Sequence, residues 1–183
     1  SRGAGRVGLF FRKKTAIACA DGLVCISHQT KEDLLKNFPF LDEKKIRVIY
    51  CGVGEEYGIL PSSTLEGLAA ANDILPGKLV LYVGSRALYK NFYVAAEAVS
   101  LLNDDFKLLI IGEKLSRKEK VFLEAQLPNR YRCLSAVDNH TLNFYYNISY
   151  CLIYPSSYEG FGIPLLEAMK AGCPVVTTNT SSI

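Results

Sequence analysis

The sequence has no hydrophobic run long enough to cross a membrane as a helix. Its longest apolar stretch, Thr15 to Ile26, is interrupted by Asp21 and Gly22, whereas a spanning helix needs about 20 apolar residues. The apolar segment after Lys14 is also shorter than the core of a signal peptide, which takes roughly 7 to 15 residues. We therefore predict a soluble, cytoplasmic protein without a membrane span.

The sequence also lacks the spacing of metal ligands. The only two histidines, His28 and His140, lie far apart and pair with no cysteine at ligand spacing, and no CxxC pair occurs. We interpret the histidines as surface or helix-start residues and predict no metal site. Most cysteines lie in apolar runs, so we expect buried free thiols, as in a reducing cytosol; the six are Cys19, Cys25, Cys51, Cys133, Cys151 and Cys173.

A strong charge excess is missing as well. The net charge of +3 is too small to indicate a nucleic-acid partner. The one basic cluster lies near the N-terminus, where a solvated helix face is the simpler interpretation. Peripheral contact with anionic lipid at the inner face of a membrane is the alternative. The cluster comprises Arg2, Arg6, Arg12, Lys13 and Lys14.

Two common nucleotide-binding motifs are absent. The first strand of the regular region is followed by GSRALYKN (84–91) and not by G-x-G-x-x-G, and no G-x-x-x-x-G-K-[ST] sequence occurs. These absences argue against a dinucleotide-dependent dehydrogenase and against a P-loop nucleotidase.

From Lys78 onward, short apolar runs alternate with helical patterns. This alternation predicts an α/β fold, a Rossmann-like doubly wound parallel sheet. Continuous hydrophobicity in the first two runs indicates burial on both faces. We predict strands at 78–83, 107–112, 131–136, 150–155 and 174–178, and helices near 91–103, 116–126, 140–148 and 163–171.

The earlier region has fewer such units. Thr30 and Asp33 fit a capping box loosely, and the glycines, proline and serines of residues 51–77 predict a linker or long loop. We expect residues 1–50 to end a first domain, 78–183 to form a second, and the chain to be part of a longer protein. The predicted elements of the first part are helices at 7–20 and 28–38 and strands at 22–27 and 45–50.

Ligands of a doubly wound sheet bind where the strand order reverses. For the order 3-2-1-4-5, the loops leaving the first and fourth strands meet there; they are GSRALYKN (84–91) and SSYEGFG (156–162). Gly84 permits close backbone approach, and Arg86 and Lys90 lie near a helix start, where cations oppose the helix dipole. An anionic ligand such as a diphosphate would resolve that conflict; exposed surface charges are the alternative.

The second loop leads into a helix without a capping side chain. Gly162 stands at the cap position and Pro164 suits the first turn, so the first amides are left for an anion. Glu159 lies in this loop, and Glu167 stands among apolar helix residues, where we expect a half-buried acceptor for sugar hydroxyls. An ordinary exposed glutamate and a hydrolase carboxylate pair are the alternatives.

The segment EGFGIPLLE (159–167) resembles the E-x7-E motif of retaining glycosyltransferases of family four, GT-B enzymes with two Rossmann-like domains. YVGSRALYKN, LLIIGE and the block 152–179 are similar to that family's donor domain, and ADGLVCISHQTKEDLLKNF is similar to the end of its acceptor domain. The resemblance implies transfer of a hexosyl-type sugar from a UDP- or GDP-sugar to a glycan or lipid-linked acceptor hydroxyl. It also implies retention of configuration, polysaccharide biosynthesis and independence of metal or other cofactors.

The resemblance also implies residue roles. Arg86 and Lys90 would hold the diphosphate, Glu159 would lie by the donor sugar, and Glu167 would bind the ribose. Gly112 and Glu113 would border the base, and the backbone of Gly160, Phe161 and Gly162 would lie by the donor sugar and its phosphate. Gly84 and Ile163 complete the expected donor site.

Two further expectations concern the chain as a whole. Without the rest of an acceptor domain, we expect this chain alone to be inactive and to self-associate through exposed surface. The alternative function is a non-catalytic sugar-nucleotide-binding or interaction module on the same fold.

Overall fold

The computed structural model describes residues 12–71 and 77–183. They form two compact units, the first reaching Cys51 and the second running from Gly52 to Ser181. Across the described ranges, every helix is too short or too polar to span a bilayer.

The first unit pairs two short parallel strands with two helices. Residues 12–19 are helical (α1), in the described part of the helix predicted at 7–20; the start of that prediction lies outside the described residues. The other elements are β1 (Leu23–Cys25), α2 (His28–Asn37), a 3-10 turn (Glu43–Lys45) and β2 (Ile46–Val48).

The predicted capping box of α2 is wrong. Because the helix begins at His28, the cap position falls on Ser27, whose side chain accepts a hydrogen bond from the backbone N–H of Thr30 at 3.0 Å. Thr30 is therefore the partner of the cap and not the cap itself.

The second unit is built on a five-stranded parallel sheet in the spatial order β5-β4-β3-β6-β7. Counted within the unit, this is the predicted order 3-2-1-4-5, so the α/β, Rossmann-like fold is confirmed. The strands are β3 (Leu79–Val83), β4 (Lys107–Ile111), β5 (Tyr131–Leu134), β6 (Cys151–Tyr154) and β7 (Val175–Thr177).

Helices cover both faces of this sheet. Every residue of β3 is buried, and alternate side chains enter two separate cores, Leu81 into one and Val80 into the other. The burial predicted for both faces is thus confirmed. The core that contains Val80 includes residues of α4 (Phe92–Ser100) and α5 (Arg117–Gln126). The core that contains Leu81 includes residues of α6 (Asn139–Ile148) and α7 (Ile163–Lys170).

The segment predicted as a linker or long loop, 51–77, contains regular structure. Helix α3 (Ser62–Ala71) follows Pro61 and packs on α6. Pro61 favours a loop in the sequence, but proline is tolerated immediately before or at the start of a helix. Tyr57 in the same segment is buried, so this segment contributes to the core of the second unit.

All six cysteines lie in the described ranges and are free thiols. Cys25, Cys151 and Cys173 are buried, as expected for apolar strand-like runs, whereas Cys19 is exposed. Burial raises the pKa of Cys173 to about 11. Within the described residues, no three His, Cys, Asp or Glu side chains are grouped to hold a metal ion.

Candidate functional site

The exit loops of β3 and β6 are hydrogen-bonded to each other at the point where the strand order reverses. The backbone N–H of Ser157 donates to the carbonyl of Tyr89 at 2.8 Å, and its hydroxyl donates to the same oxygen at 3.1 Å. Asn91 Nδ2 donates to the carbonyl of Pro155 at 2.8 Å. The two loops that the sequence singled out are therefore adjacent in the folded unit.

Lys90 and Glu159 form an ion pair between these loops. Lys90 Nζ lies 2.8 Å from Glu159 Oε1, and the two side chains are only 13% and 11% exposed. Lys90 also donates to the hydroxyl of Tyr154 at 3.1 Å. Burial raises the pKa of Tyr154, and the carboxylate of Glu159 adds to that effect, so this hydroxyl stays protonated. The sequence predicted both charged residues for the site, but not their pairing.

The backbone of Glu159 is held by the loop that follows β7. Its N–H donates to Ser181 Oγ at 3.2 Å, and the same hydroxyl donates to the carbonyl of Glu159 at 2.6 Å. Thr178 Oγ1 donates to the carbonyl of Ser156 at 2.6 Å. Sequence reasoning missed this third loop, whose only signal is the run of Ser and Thr that favours such local backbone bonds.

Arg86 is buried and not a surface charge. Its Nε donates to Glu119 Oε1 at 2.7 Å, its Nη2 donates to the carbonyl of Lys114 at 2.8 Å, and the side chain is only 5% exposed. The guanidinium carbon lies 5.8 Å from the ring centroid of Phe92. Among the described residues, the buried Nη1 has no hydrogen-bond partner. The two N–H groups of Nη1 thus remain for a ligand.

Glu119, the partner of Arg86, is part of the N-terminal cap of α5. The backbone N–H of Ser116 donates to Glu119 Oε2 at 2.6 Å, and the N–H of Glu119 donates to Ser116 Oγ at 3.3 Å. Burial raises the pKa of Glu119, but the hydrogen bonds from Ser116 and Arg86 outweigh it and leave the pKa below its usual value. The S-x-x-E pattern could have indicated the cap, but not the ion pair.

Two glycines bring the exits of β3 and β4 into contact. A Cβ atom added at Gly112 would overlap the carbonyl oxygen of Gly84, and it would lie 3.7 Å from Arg86 Nη1. Gly84 itself has a φ of +123°, which L side chains rarely adopt. These glycines therefore let backbone, and not side chains, form this wall of the site.

A cleft of about 470 Å³ opens at the carboxyl ends of β3, β4 and β5. The predicted residues Gly84, Gly112 and Glu113 line it. The loop after β5 was missed, and within it Ala136 has a φ of +57°, a conformation that its residue type does not suggest. The lining residues that sequence reasoning missed include Ser85, Ser135, Ala136 and Val137.

Helix α7 begins without a capping side chain, as predicted. Its N-cap is Gly162 with a φ of +87°, and Pro164 stands in the first turn. A Cβ atom at Gly162 would lie 3.0 Å from Leu165 Cδ1. Gly160 and half-buried Phe161 belong to the loop before this helix, and Ile163, its first residue, is exposed.

Glu167 lies one turn further along α7 and is half-buried, as expected. The hydroxyl of Tyr146 donates to its Oε2 at 2.9 Å, and Tyr57 lies close enough to the same carboxyl group for each to shift the pKa of the other. Burial raises the pKa of Glu167 above its usual value, although the two tyrosine hydroxyls act to lower it. Sequence reasoning found the glutamate but neither tyrosine.

Residues 69–183, which include the cleft, both exit loops and α7, match the family described as Glycosyl transferases group 1. The chain belongs to this glycosyltransferase family. The match covers the strands and loops that carry every predicted site residue.

Individual relatives agree with this assignment. Over 92% of the chain, it is 25% identical to the O-antigen chain mannosyltransferase RfbU of Salmonella typhimurium, of which it covers 45%. Over 89% of the chain, it is 29% identical to a Campylobacter jejuni enzyme, N-acetylgalactosamine-N,N'-diacetylbacillosaminyl-diphospho-undecaprenol 4-alpha-N-acetylgalactosaminyltransferase, of which it covers 42%. The chain thus spans somewhat less than half the length of these two relatives.

Solved glycosyltransferase structures share the fold. Anabaena HepE in complex with UDP and glucose superposes with a TM-score of 0.77 at 18% identity, over 91% of this chain and 47% of that one. At this level of identity, the likeness speaks for the fold alone.

Proposed function

We propose that the protein transfers a sugar from a nucleoside-diphosphate sugar to an acceptor hydroxyl with retention of configuration, as a family-four glycosyltransferase whose E-x7-E motif is Glu159 to Glu167. The observation that carries this proposal is the buried Lys90–Glu159 pair, at 2.8 Å. Its glutamate lies in the loop that leads to the uncapped start of α7. A cation and an open helix terminus at one switch point suit a diphosphate.

The relatives support the donor class. RfbU is named as a mannosyltransferase of the O-antigen chain, the Campylobacter enzyme as a transferase acting on a diphospho-undecaprenol, and HepE was solved with UDP and glucose. The donor of this protein is accordingly a UDP- or GDP-sugar, and its acceptor is a glycan or a lipid-linked saccharide of polysaccharide biosynthesis.

The chemistry of the proposed reaction follows from charge. The bond between the anomeric carbon and the phosphate oxygen breaks, and its electron pair leaves with the nucleoside diphosphate, whose negative charge grows as the sugar becomes oxocarbenium-like. The acceptor oxygen forms the new bond to the anomeric carbon, and its proton passes to the departing phosphate oxygen. Lys90, the unpartnered Nη1 of Arg86 and the first amides of α7 supply positive charge and N–H donors at that place. These groups belong to the chain itself, and the proposal assigns no role to a metal ion.

The remaining predicted residues bind the donor in this proposal. Glu159 lies by the transferred sugar, Glu167 accepts from the ribose, and Gly112 with Glu113 borders the base in the cleft. Gly84, Gly160 and Gly162 leave room for the phosphates because they have no side chain, and the backbone of Phe161 and of exposed Ile163 lines the same loop.

The direct test is sugar transfer by the full-length protein. UDP- and GDP-sugars are offered with an undecaprenyl-diphosphate saccharide, in the presence of a chelator, and the anomeric configuration of the product is read by NMR. We expect a product with the donor's configuration, and we expect Glu159→Gln to lower turnover far more than the exposed-site control Glu97→Gln. Donor binding without any transfer would favour the non-catalytic module, and an inverted product would contradict the family-four assignment.

A further inference from the structure

Two buried tyrosines reach Glu167 from different parts of the second unit. Tyr146 on α6 is fully buried, and its hydroxyl lies 2.9 Å from Glu167 Oε2. Tyr57 precedes α3, is 4% exposed, and lies close enough to the same carboxyl group for Glu167 to raise its pKa. The two rings lie side by side, with centroids 6.1 Å apart. One side of the carboxylate is therefore flanked by two tyrosines, of which Tyr146 donates to it.

The position of Tyr57 is fixed by α6, the helix that carries Tyr146. The N–H of Gly58 donates to Asn143 Oδ1 at 3.0 Å, and the N–H of Leu60 donates to Asn147 Oδ1 at 2.9 Å. Asn147 Nδ2 returns a bond to the carbonyl of Gly58 at 2.9 Å. These side-chain bonds attach the segment after Tyr57 to α6, so they hold Tyr57 near Tyr146.

This arrangement restricts the orientation of the Glu167 carboxylate but leaves some of its hydrogen-bond acceptor directions unused. Hydroxyl-to-carboxylate hydrogen bonds are charge-assisted and strong, and they hold a side chain that would otherwise sample several rotamers. A carboxylate has about four acceptor directions, and the two tyrosines occupy at most two of them. Because Glu167 is only half-buried, its other directions stay accessible to a ligand, enough for two adjacent hydroxyls.

We propose that Tyr57 and Tyr146 are positioning residues that orient Glu167 toward the adjacent ribose hydroxyls of the donor nucleotide, and that they thereby set a preference for ribonucleotides over 2'-deoxyribonucleotides. This inference rests on the proposed function, which places the donor ribose at Glu167. It adds to the donor site a residue, Tyr57, that lies before the βα units of the second unit.

The alternative is that both tyrosines serve only the core. Their rings belong to the cluster that also contains Leu165 and Ala168. Tyrosine-to-phenylalanine substitutions separate the two roles because they keep the ring and remove only the hydroxyl. Tyr145→Phe is the matched control, since Tyr145 is buried on the same helix.

The test compares the Kd values of the ribonucleotide and of its 2'-deoxy analogue. Calorimetry is run on the wild-type chain, Tyr57→Phe, Tyr146→Phe and Tyr145→Phe with UDP and 2'-deoxy-UDP, and in parallel with GDP and 2'-deoxy-GDP; thermal melting checks that each variant folds. For the nucleotide that binds, we expect each positioning variant to weaken ribonucleotide binding by about fivefold or more. We expect binding of the deoxy analogue, which keeps the 3'-hydroxyl and lacks only the 2'-hydroxyl, to weaken by a clearly smaller factor, and Tyr145→Phe to change neither value.

Equal losses for the ribo and deoxy forms, or no loss with either, would overturn the inference. Glu167→Gln separates this failure from a failure of the proposed function. If Glu167→Gln abolishes the ribose preference while the tyrosine variants retain it, only the inference fails. If Glu167→Gln leaves the preference intact, or if the wild-type chain binds neither nucleotide, the ribose role of Glu167 fails and the inference with it.

Discussion

Arg86 and Lys90 stand on one loop and are both paired with nearly buried carboxylates, yet the two pairs are held differently. The partner of Arg86, Glu119, is fixed in the cap of α5, and Arg86 itself also binds the carbonyl of Lys114. The partner of Lys90, Glu159, lies in an irregular loop that Ser181 holds only by its backbone.

This difference indicates two kinds of cation. The guanidinium of Arg86 is planar, and two of its nitrogens are bonded to partners inside the unit. Its Nη1 is left for a ligand, so the role of Arg86 is mainly structural. The ammonium of Lys90 is a point charge with rotatable donors. In our proposal it exchanges the carboxylate of Glu159 for the diphosphate when the donor binds, which leaves Glu159 to the sugar.

The largest expected effect is on turnover, from Lys90→Met. This change keeps the length of the side chain and removes its charge, so we expect kcat for sugar transfer by the full-length protein to fall by about 10² to 10³. The control is Lys107→Met, at the amino end of β4, where the lysine is exposed. Turnover within tenfold of wild type would mean that Lys90 is not the charge that meets the leaving group.

A second prediction concerns stability and applies to the other cation. Arg86→Ala leaves the buried carboxylate of Glu119 without its partner, and breaking such a pair costs about 3–5 kcal/mol of the free energy of unfolding. Urea unfolding measures this. The double variant Arg86→Met with Glu119→Leu should recover much of the loss, because it removes both charges. If Arg86→Ala lowers the free energy of unfolding by less than about 1 kcal/mol, the role of Arg86 is not mainly structural. The contrast with the exchangeable charge of Lys90 would then fail.

A third prediction tests the contact of the two strand exits beside Arg86. The Cβ atom introduced by Gly112→Ala would overlap the carbonyl oxygen of Gly84. We expect a destabilisation of about 1–3 kcal/mol and weaker nucleotide binding, measured by urea unfolding and by calorimetry. Gly52→Ala is the control, because nothing lies within 4 Å of an added Cβ there. Equal behaviour of the two variants would show that the close approach is unimportant.

The smallest expected effect is a pair of opposite pH dependences. The pKa of Glu119 is lowered, so its stabilising contribution is present above the ordinary glutamate pKa of about 4.3 and is lost as pH falls through the lowered value. The pKa of Glu167 is raised, so its contribution is present below about 4.3 and is lost as pH rises through the raised value. These two signs distinguish a carboxylate held in a pair from one kept in a half-buried site.

The measurement is the stability of Glu119→Gln and Glu167→Gln relative to wild type between pH 3 and 7. As pH rises, the free energy of unfolding of wild type should increase relative to that of Glu119→Gln. It should decrease relative to that of Glu167→Gln. Parallel curves for the two variants would contradict this assignment of charge states.

Much of the fold was predictable because it depends on local patterns. Continuous apolar runs and the helical periods between them indicated all five strands of the second unit, and the usual strand order placed the loops of Lys90 and Glu159 together. Helix α3 was not predicted, because Pro61 and the serines that follow it favour a loop. The missing cap residue of α7 was visible in the sequence, since Gly162 has no side chain.

The partners of the charged residues could not be predicted in the same way. Glu119 lies 33 positions from Arg86, and Tyr146 lies 21 positions from Glu167. Such pairs depend on the packing of separate elements. No local sequence pattern predicts these pairs.

The central claim is that the switch point of the sheet binds a nucleoside diphosphate through Lys90. It is tested most directly by NMR titration of the ¹⁵N-labelled chain with UDP, GDP and ADP in a chelating buffer, following the amides of Gly84, Gly112 and Gly162. We expect one nucleotide to shift all three amides, and Lys90→Met, but not Lys107→Met, to weaken that binding at least about tenfold. Shifts elsewhere, or binding that Lys90→Met leaves unchanged, would contradict the account.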